Sequence, residues 1–131
     1  MTVLATRNRR QVARLTRSSK IFKTILHAIQ EKKGTNIVSL DLRKIPEAVS
    51  DFFIICTAGS NIQSKAIAEY VEEQVKKVCG EDPFKHEGFQ AAQWVLIDYV
   101  NVVVHIMQEE SRNFYRLEDL WSDAPVMEHK D

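Results

Sequence analysis

The stretch Trp94-Val95-Leu96-Ile97-Asp98-Tyr99-Val100-Asn101-Val102-Val103-Val104-His105-Ile106-Met107 decides the fold. Two runs rich in β-branched and aromatic residues, Trp94–Tyr99 and Val102–Met107, flank Val100-Asn101 in the pattern of a β-hairpin. With those two residues as the turn, paired positions sum to 201, and paired residues share a face of the sheet. One face then carries Val95, Ile97, Tyr99, Val102, Val104 and Ile106, apolar enough to require helices against it. The other carries Trp94, Leu96, Asp98, Val103, His105 and Met107. A face that mixes an indole, an acid, a histidine and a methionine suits an interface, where Trp and Met are enriched and Trp is a frequent hot spot. Two readings of it stay open: a surface covered by a partner, or one closed by a helix or loop of this chain. Both depend on the register, because a slip of one residue swaps the faces. Val100 is a poor residue for a turn position with positive φ.

Working outward, Asp51–Thr57 is short and apolar on both faces, which predicts a central strand. Ala58-Gly59 turns the chain, Ser60 caps the next helix, and Gln63 three residues on completes a capping box. Ile62, Ala66, Tyr70, Val71, Val75 and Val78 are its expected buried side; Gly80 ends it and Pro83 prevents continuation. Upstream, Ile21, Phe22, Ile25, Leu26 and Ile29 make the apolar stripe of a helix from Ser18. Lys32 and Lys33 suit its negative end and Gly34 stops it. Asn36–Leu42 alternates as a half-buried strand, with Val38, Leu40 and Leu42 opposite Ser39 and Asp41, and Pro46 marks the following loop. Phe84–Glu87 is a short strand and residues 88–93 a loop. A final helix over Ser111–Trp121 lines Phe114, Leu117 and Trp121 on one side, with Pro125 beyond it.

The order α-β-β-α-β-β-β-α, without internal repeat, gives an α/β (α+β) class: a mixed five-stranded sheet with flanking helices. Three helices are too few to cover both faces of such a sheet, which favours a partly open second face. The domain is expected over residues 18–124, between an arm at 1–17 and a tail at 125–131.

The 131 residues suffice for one domain with one core, and 44% hydrophobic content is ordinary for a globular chain. No apolar run approaches the ~20 residues of a membrane span, and no apolar leader segment opens the chain. Cys56 and Cys79 form no CxxC pair, and Cys56 is expected as a buried free thiol in a reducing cytoplasm. Arg7, Arg9, Arg10, Arg14, Arg17 and Lys20 put +6 on the first twenty residues, with no acid among them. The formal charge of the whole chain is zero, so the other 111 residues carry −6. The arm is read either as a disordered, solvated tail or as a weak, salt-sensitive contact with RNA phosphates. An Arg-rich, acid-free start is also shared with organelle transit peptides.

Cys56-Thr57-Ala58-Gly59-Ser60, at a strand–turn–helix junction, is similar to the entry of nucleotidyltransferase folds, where a Gly-Ser pair at a helix N-terminus holds phosphate. Such enzymes need two or three carboxylates on an adjacent strand for divalent metals. The next strand offers Phe84-Lys85-His86-Glu87, Asp98 stands alone in its strand, and Glu72 and Glu73 point apart on a helix. His27, His86, His105 and His129 have no ligand partner at metal-site spacing. Ser60, Ser111 and Cys56 lack a nearby general base in sequence. No catalytic residue, metal or cofactor is expected. The alternative, a nucleotidyltransferase-like enzyme acting on a small nucleotide, would require metal-dependent nucleotide binding.

Five blocks in order resemble the iojap or ribosomal silencing factor family: Asp51–Ser60, Glu87-Gly88, Trp94–Tyr99, Val102–Arg112 and Tyr115–Trp121. The resemblance covers about Ser18–Ala124. It implies a nucleotidyltransferase-like fold without the catalytic carboxylates. It also implies binding to large-subunit ribosomal protein fourteen, where the small subunit docks, so that joining is blocked and translation repressed in nutrient limitation. The positions carried over are Glu87, Gly88, Trp94, Asp98, His105, Arg112, Tyr115, Leu117 and Trp121. Combined with the hairpin face, the expected partner-binding set is Trp94, Leu96, Asp98, His105, Met107, Arg112, Tyr115 and Trp121. A homodimer through the same face is expected of the free protein as an alternative association. Val100-Asn101 stands where the family commonly has Gly-Asp, which puts the turn type and one polar partner contact in doubt.

Overall fold

The computed structural model describes residues 15–131, so the arm expected over 1–17 lies outside the described residues as far as position 14. Its last three residues belong to the folded body. The Leu15 N–H donates to Asp51 Oδ2 at 3.0 Å, and the Arg17 guanidinium lies 5.3 Å from the Phe52 ring centroid.

The elements are α1 (Lys20–Glu31), β1 (Thr35–Asp41), β2 (Phe52–Ala58), α2 (Asn61–Cys79), β3 (Lys85–Glu87), β4 (Trp94–Asp98), β5 (Val102–Gln108), α3 (Glu109–Tyr115), α4 (Leu117–Leu120) and β6 (Val126–His129). They build one mixed sheet in the order β3-β4-β5-β2-β1-β6. The sheet has six strands where five were expected. The sixth comes from the segment read as a tail, which pairs antiparallel with β1, Leu40 opposite Val126 and Ile37 opposite His129. Only β2 and β5 run parallel, and they form the centre.

The hairpin register is the expected one: Trp94 pairs Met107, Ile97 pairs Val104 and Asp98 pairs Val103. Val95, Ile97, Tyr99, Val102, Val104 and Ile106 all lie in the main core, beneath α1 and α2. Helix α1 contributes Ile21, Phe22, Ile25 and Ile29. Helix α2 contributes Ser64, Ile67, Ala68, Val71 and Val75. The expected stripe of α2 is thus partly wrong: Ile62 is 81% exposed and Val78 is also exposed, because the small Ser64 and Ala68 turn a closer-packing face inward.

Local chemistry fixes the ends of both helices. The Ser60 hydroxyl accepts the Gln63 N–H at 3.0 Å, while Gln63 Oε1 accepts the Gly59 N–H at 2.6 Å, a capping box displaced by one residue. Gly80 closes α2 at φ +71. At the end of α1 it is Lys33, at φ +68, that turns left-handed. Gly34 is there for space, since a Cβ on it would lie 2.6 Å from Ile29 Cγ2.

The second face of the sheet is partly closed. Val38, Leu40, Leu42, Ile55 and Met107 are covered by Leu117, Ala124 and Trp121 from the C-terminal segment and by Ile45 and Ala48 after β1. The single helix expected over Ser111–Trp121 is broken at Arg116, which adopts φ +51, and Phe114 points to solvent with 77% exposure.

Candidate functional site: an aromatic row on the second sheet face

Alternation along β4 sends Trp94, Leu96 and Asp98 to the second face, and each is partly exposed. The row begins at Tyr115 on α3, 48% exposed, whose ring centroid lies 4.7 Å from that of Trp94. Trp94 continues to His105 at 5.9 Å, His105 to Phe53 at 4.6 Å in an edge-on contact, and Phe53 to Trp121 at 6.0 Å. Such offset and edge-on spacings are the favourable ones for aromatic pairs. Phe114 extends the row outward, 5.0 Å from Tyr115.

One hydrogen bond sets the chemistry of the row. Trp94 Nε1 donates to His105 Nδ1 at 3.0 Å. An indole N–H is only a donor, so His105 Nδ1 must be unprotonated and the neutral ring carries its proton on Nε2. Burial drives the imidazole pKa down to about 3, which holds the ring neutral. Its Nε2 is buried without a partner among the described residues. His105 therefore orients the indole from below.

The expected partner-binding residues divide into four groups. Trp94, Leu96, Tyr115 and Trp121 all retain some exposure and lie on or beside the row. His105 and Met107 are sealed, Met107 completely, and neither can touch a partner in this fold; both act as the floor on which the indole rests. Arg112 is engaged mainly within the chain. Its side chain is 12% exposed. Its Nη1 donates to Asn36 O at 2.7 Å and Thr57 Oγ1 at 2.9 Å, and Nη2 donates to Glu118 Oε2 at 2.8 Å. It clamps α3 and α4 to β1 and β2, and so places Tyr115 and Trp121. Asp98 serves the turn, where its Oδ1 accepts the Val100 N–H at 2.7 Å.

One residue escaped the sequence reading. Phe53 bridges His105 and Trp121, yet its strand reads as apolar on both sides; only the alternation against buried Phe52 could have assigned it to this face. Gly88, one of the positions carried over from the family resemblance, keeps the loop before β4 tight at φ +87, where a Cβ would run into Trp94 O.

Elsewhere the chemistry is quiet. Cys56 is a buried free thiol whose pKa burial pushes up to about 12, which keeps it protonated. Among the described residues no group of three His, Cys, Asp or Glu is placed to hold a metal ion. No described helix is long and apolar enough to cross a membrane.

Fold and site together define a mixed α/β protein whose distinctive surface is an aromatic row on a half-covered sheet. Residues 15–131 match the family described as ribosomal silencing factor during starvation. The chain is 40% identical over 106 residues to ribosomal silencing factor RsfS of Bacillus subtilis, covering 81% of this chain and 88% of that one. It is 37% identical over 114 residues to the protein of the same name from Halalkalibacterium halodurans, covering 85% and 93%. A crystal structure of a protein from Chromobacterium violaceum superposes with a TM-score of 0.74 at 36% identity, covering 79% of this chain and 84% of that one. The chain belongs to the ribosomal silencing factor family.

Proposed function

We propose that this chain silences ribosomes in the cytoplasm by covering a surface. It docks through the aromatic row on large-subunit ribosomal protein fourteen and sterically blocks joining of the small subunit, repressing translation when nutrients are short. No bond is made or broken. Family membership motivates the partner; the half-exposed indole of Trp94, held by His105 below and Tyr115 beside it, is the observation that carries the reading. A large aromatic side chain already locked in one orientation loses little entropy on docking, which is what a hot spot requires. Tyr115, Leu96 and Trp121 supply apolar surface around it. The −6 on residues 21–131 would steer encounter with a basic ribosomal protein.

The enzymatic alternative lacks support at its own motif. Ser60 is occupied as a helix cap, and Gly59 donates its N–H to Gln63. We therefore take the sheet as a nucleotidyltransferase-like scaffold used without catalysis. A free chain could pair with a second copy through the same face, so dimer and subunit complex would exclude each other, which light scattering with and without large subunits measures.

Co-sedimentation with purified large subunits, followed by a subunit-joining assay, tests the proposal. Trp94→Ala should weaken binding about thirtyfold, the equivalent of about 2 kcal/mol, and restore joining. Tyr115→Ala, at an exposed position, should weaken binding severalfold with the fold intact. Wild-type binding by both variants would sink the proposal.

A further inference from the structure

The half of the second face that lies over β3 and β4 is left bare. Leu117, Trp121, Ala124, Ile45 and Ala48 cover the β1, β2 and β5 side, and Leu96 belongs to neither apolar cluster. Strand β3 extends this bare half. In its antiparallel pairing with β4, Glu87 lies opposite Leu96 and Lys85 opposite Asp98, so both charged side chains stand on the face of the aromatic row. Their side chains are 53% (Lys85) and 64% (Glu87) exposed, and Lys85 Nζ lies 3.4 Å from Glu87 Oε2. Glu87 is diagonal to Trp94 across the two strands, a spacing of about 7–8 Å between Cα positions.

The strand is held from behind, which fixes where its two charges stand. His86, between them, turns to the helix layer. Its Nδ1 lies 2.6 Å from Glu72 Oε2 on α2, and its ring centroid is 4.5 Å from that of Phe89. At one end the Phe84 N–H donates to Asp98 O at 2.7 Å. At the other, Gly88 lets the chain close onto the Trp94 carbonyl, where a Cβ would not fit. An exposed ion pair within one strand contributes little to stability, so breaking it costs little. The bare half sets two acids, Glu87 and Asp98, against one base, Lys85. Asp98 Oδ1 is already committed to the Val100 N–H. Glu87 is thus the carboxylate beside the row that is free to change partners.

We propose that Glu87 exchanges Lys85 for a lysine or arginine of the protein that covers the row, with Lys85 as the built-in competitor that sets how strongly that cation is selected. The exchange rests on docking through the row and gives that docking its polar selectivity. The occupant is a basic protein surface, with an apolar patch to meet Trp94 and Leu96 and a cation beside it to meet Glu87. Docking screens the new pair from water, where a charge-assisted bond is stronger than the exposed one it replaces. A surface without a cation at that place gains nothing from breaking the Lys85 contact and leaves Glu87 unpaired, which is how the pair discriminates.

The test measures the affinity of the full chain for purified large subunits by co-sedimentation. Glu87→Gln should weaken binding about fivefold, whereas Lys85→Gln, which frees Glu87, should strengthen it about twofold to threefold. Opposite signs from two exposed residues of one strand distinguish exchange from a structural role. On a Glu87→Gln background, Lys85→Gln should have no further effect, because the competition is gone. Lys65→Gln and Glu69→Gln, at exposed positions of α2 in the opposite layer, make the same changes of net charge. Each should shift affinity by less than about twofold. All four positions are exposed, so urea midpoints should match wild type. Wild-type affinity in Glu87→Gln would overturn the proposal. So would a gain from Lys85→Gln that persists without Glu87 or is matched by Lys65→Gln. Trp94→Ala tells this failure from failure of the docking itself. If Trp94→Ala binds weakly while the Glu87 and Lys85 variants bind like wild type, the row stands and the exchange falls. If Trp94→Ala also binds like wild type, both fall.

Discussion

The two faces of the sheet are made from the same strands and held by different physics. Under α1 and α2, Val95, Ile97, Val102, Val104 and Ile106 meet Ile25, Ile67 and Val71 in a fully sealed layer. Its stability scales with apolar area removed from water, about 25 cal/mol per Å². On the other face burial is graded, from Met107 and His105 through Trp94 and Trp121 to Tyr115. Directional contacts do more there: the indole–imidazole bond, the edge-on rings and the Arg112 clamp. A face stabilised by area has no vantage point from which to bind anything. A face stabilised by a few directed bonds can leave its aromatics half in water and still hold them in one orientation.

The largest expected effect lies on the sealed face. Ile54 is fully buried in β2 within the main core. Ile54→Ala should lower unfolding free energy by about 3–4 kcal/mol in urea titrations, as the lost transfer energy and the residual cavity add. Tyr115→Ala on the other face should cost under about 1 kcal/mol while weakening subunit binding. If both substitutions reduced stability equally, the division between a structural face and a functional one would fail.

The second effect concerns pH and belongs to His105. In the folded chain its pKa is near 3; unfolded, it takes a proton near 6.5. Above 6.5 neither state is protonated there, and the residue adds no pH dependence. Between 6.5 and 3 only the unfolded chain binds the proton, so stability falls with falling pH by about 1.4 kcal/mol per unit, levelling off below 3 where both states are protonated. In His105→Asn the Oδ1 can accept the indole N–H without titrating. Between pH 6.5 and about 5, wild type should therefore lose about 2 kcal/mol more than His105→Asn. Parallel urea-stability profiles would show that the imidazole is not buried in its neutral form.

What the sequence disclosed follows the same division. The sealed face was legible because period-two alternation in two adjacent strands fixes both register and side, and Val95 and Ile106 could face only a core. Trp94, Tyr115 and Trp121 were legible as members of one surface. The closure of that surface was not, because it depends on the C-terminal segment folding back. The segment breaks at Arg116, a residue without the usual left-handed preference, and ends in Val126–His129, an edge strand held by backbone pairing more than by any apolar pattern. Arg112 and Met107 were placed in the partner contact because chemistry alone names a good interface residue. Only geometry shows that the guanidinium is already engaged by Asn36, Thr57 and Glu118, and that Met107 lies beneath Trp121's neighbours. On α2, apolar identity pointed to Ile62, whereas close packing selected Ser64.

The smallest effect has the opposite sign and sits where the two faces meet. Val100 adopts φ +74 in the hairpin turn, a region where a β-branched residue is strained. The turn is over-determined from outside: Asp98 Oδ1 takes the Val100 N–H, Tyr99 O takes the Asn101 N–H at 2.9 Å, and the Ser50 hydroxyl donates to Val100 O at 3.0 Å. The strain costs about 1–2 kcal/mol, and glycine would remove it while increasing unfolded-chain entropy by up to about 1 kcal/mol and losing little packing at a half-buried site. Val100→Gly should thus stabilise by about 0.5–1 kcal/mol, seen as a higher urea midpoint with unchanged slope. Binding to the large subunit should not change, because Trp94 lies at the far end of β4. A destabilised Val100→Gly would mean that the valine side chain, rather than the polar contacts around it, holds the turn and with it the register on which both faces depend.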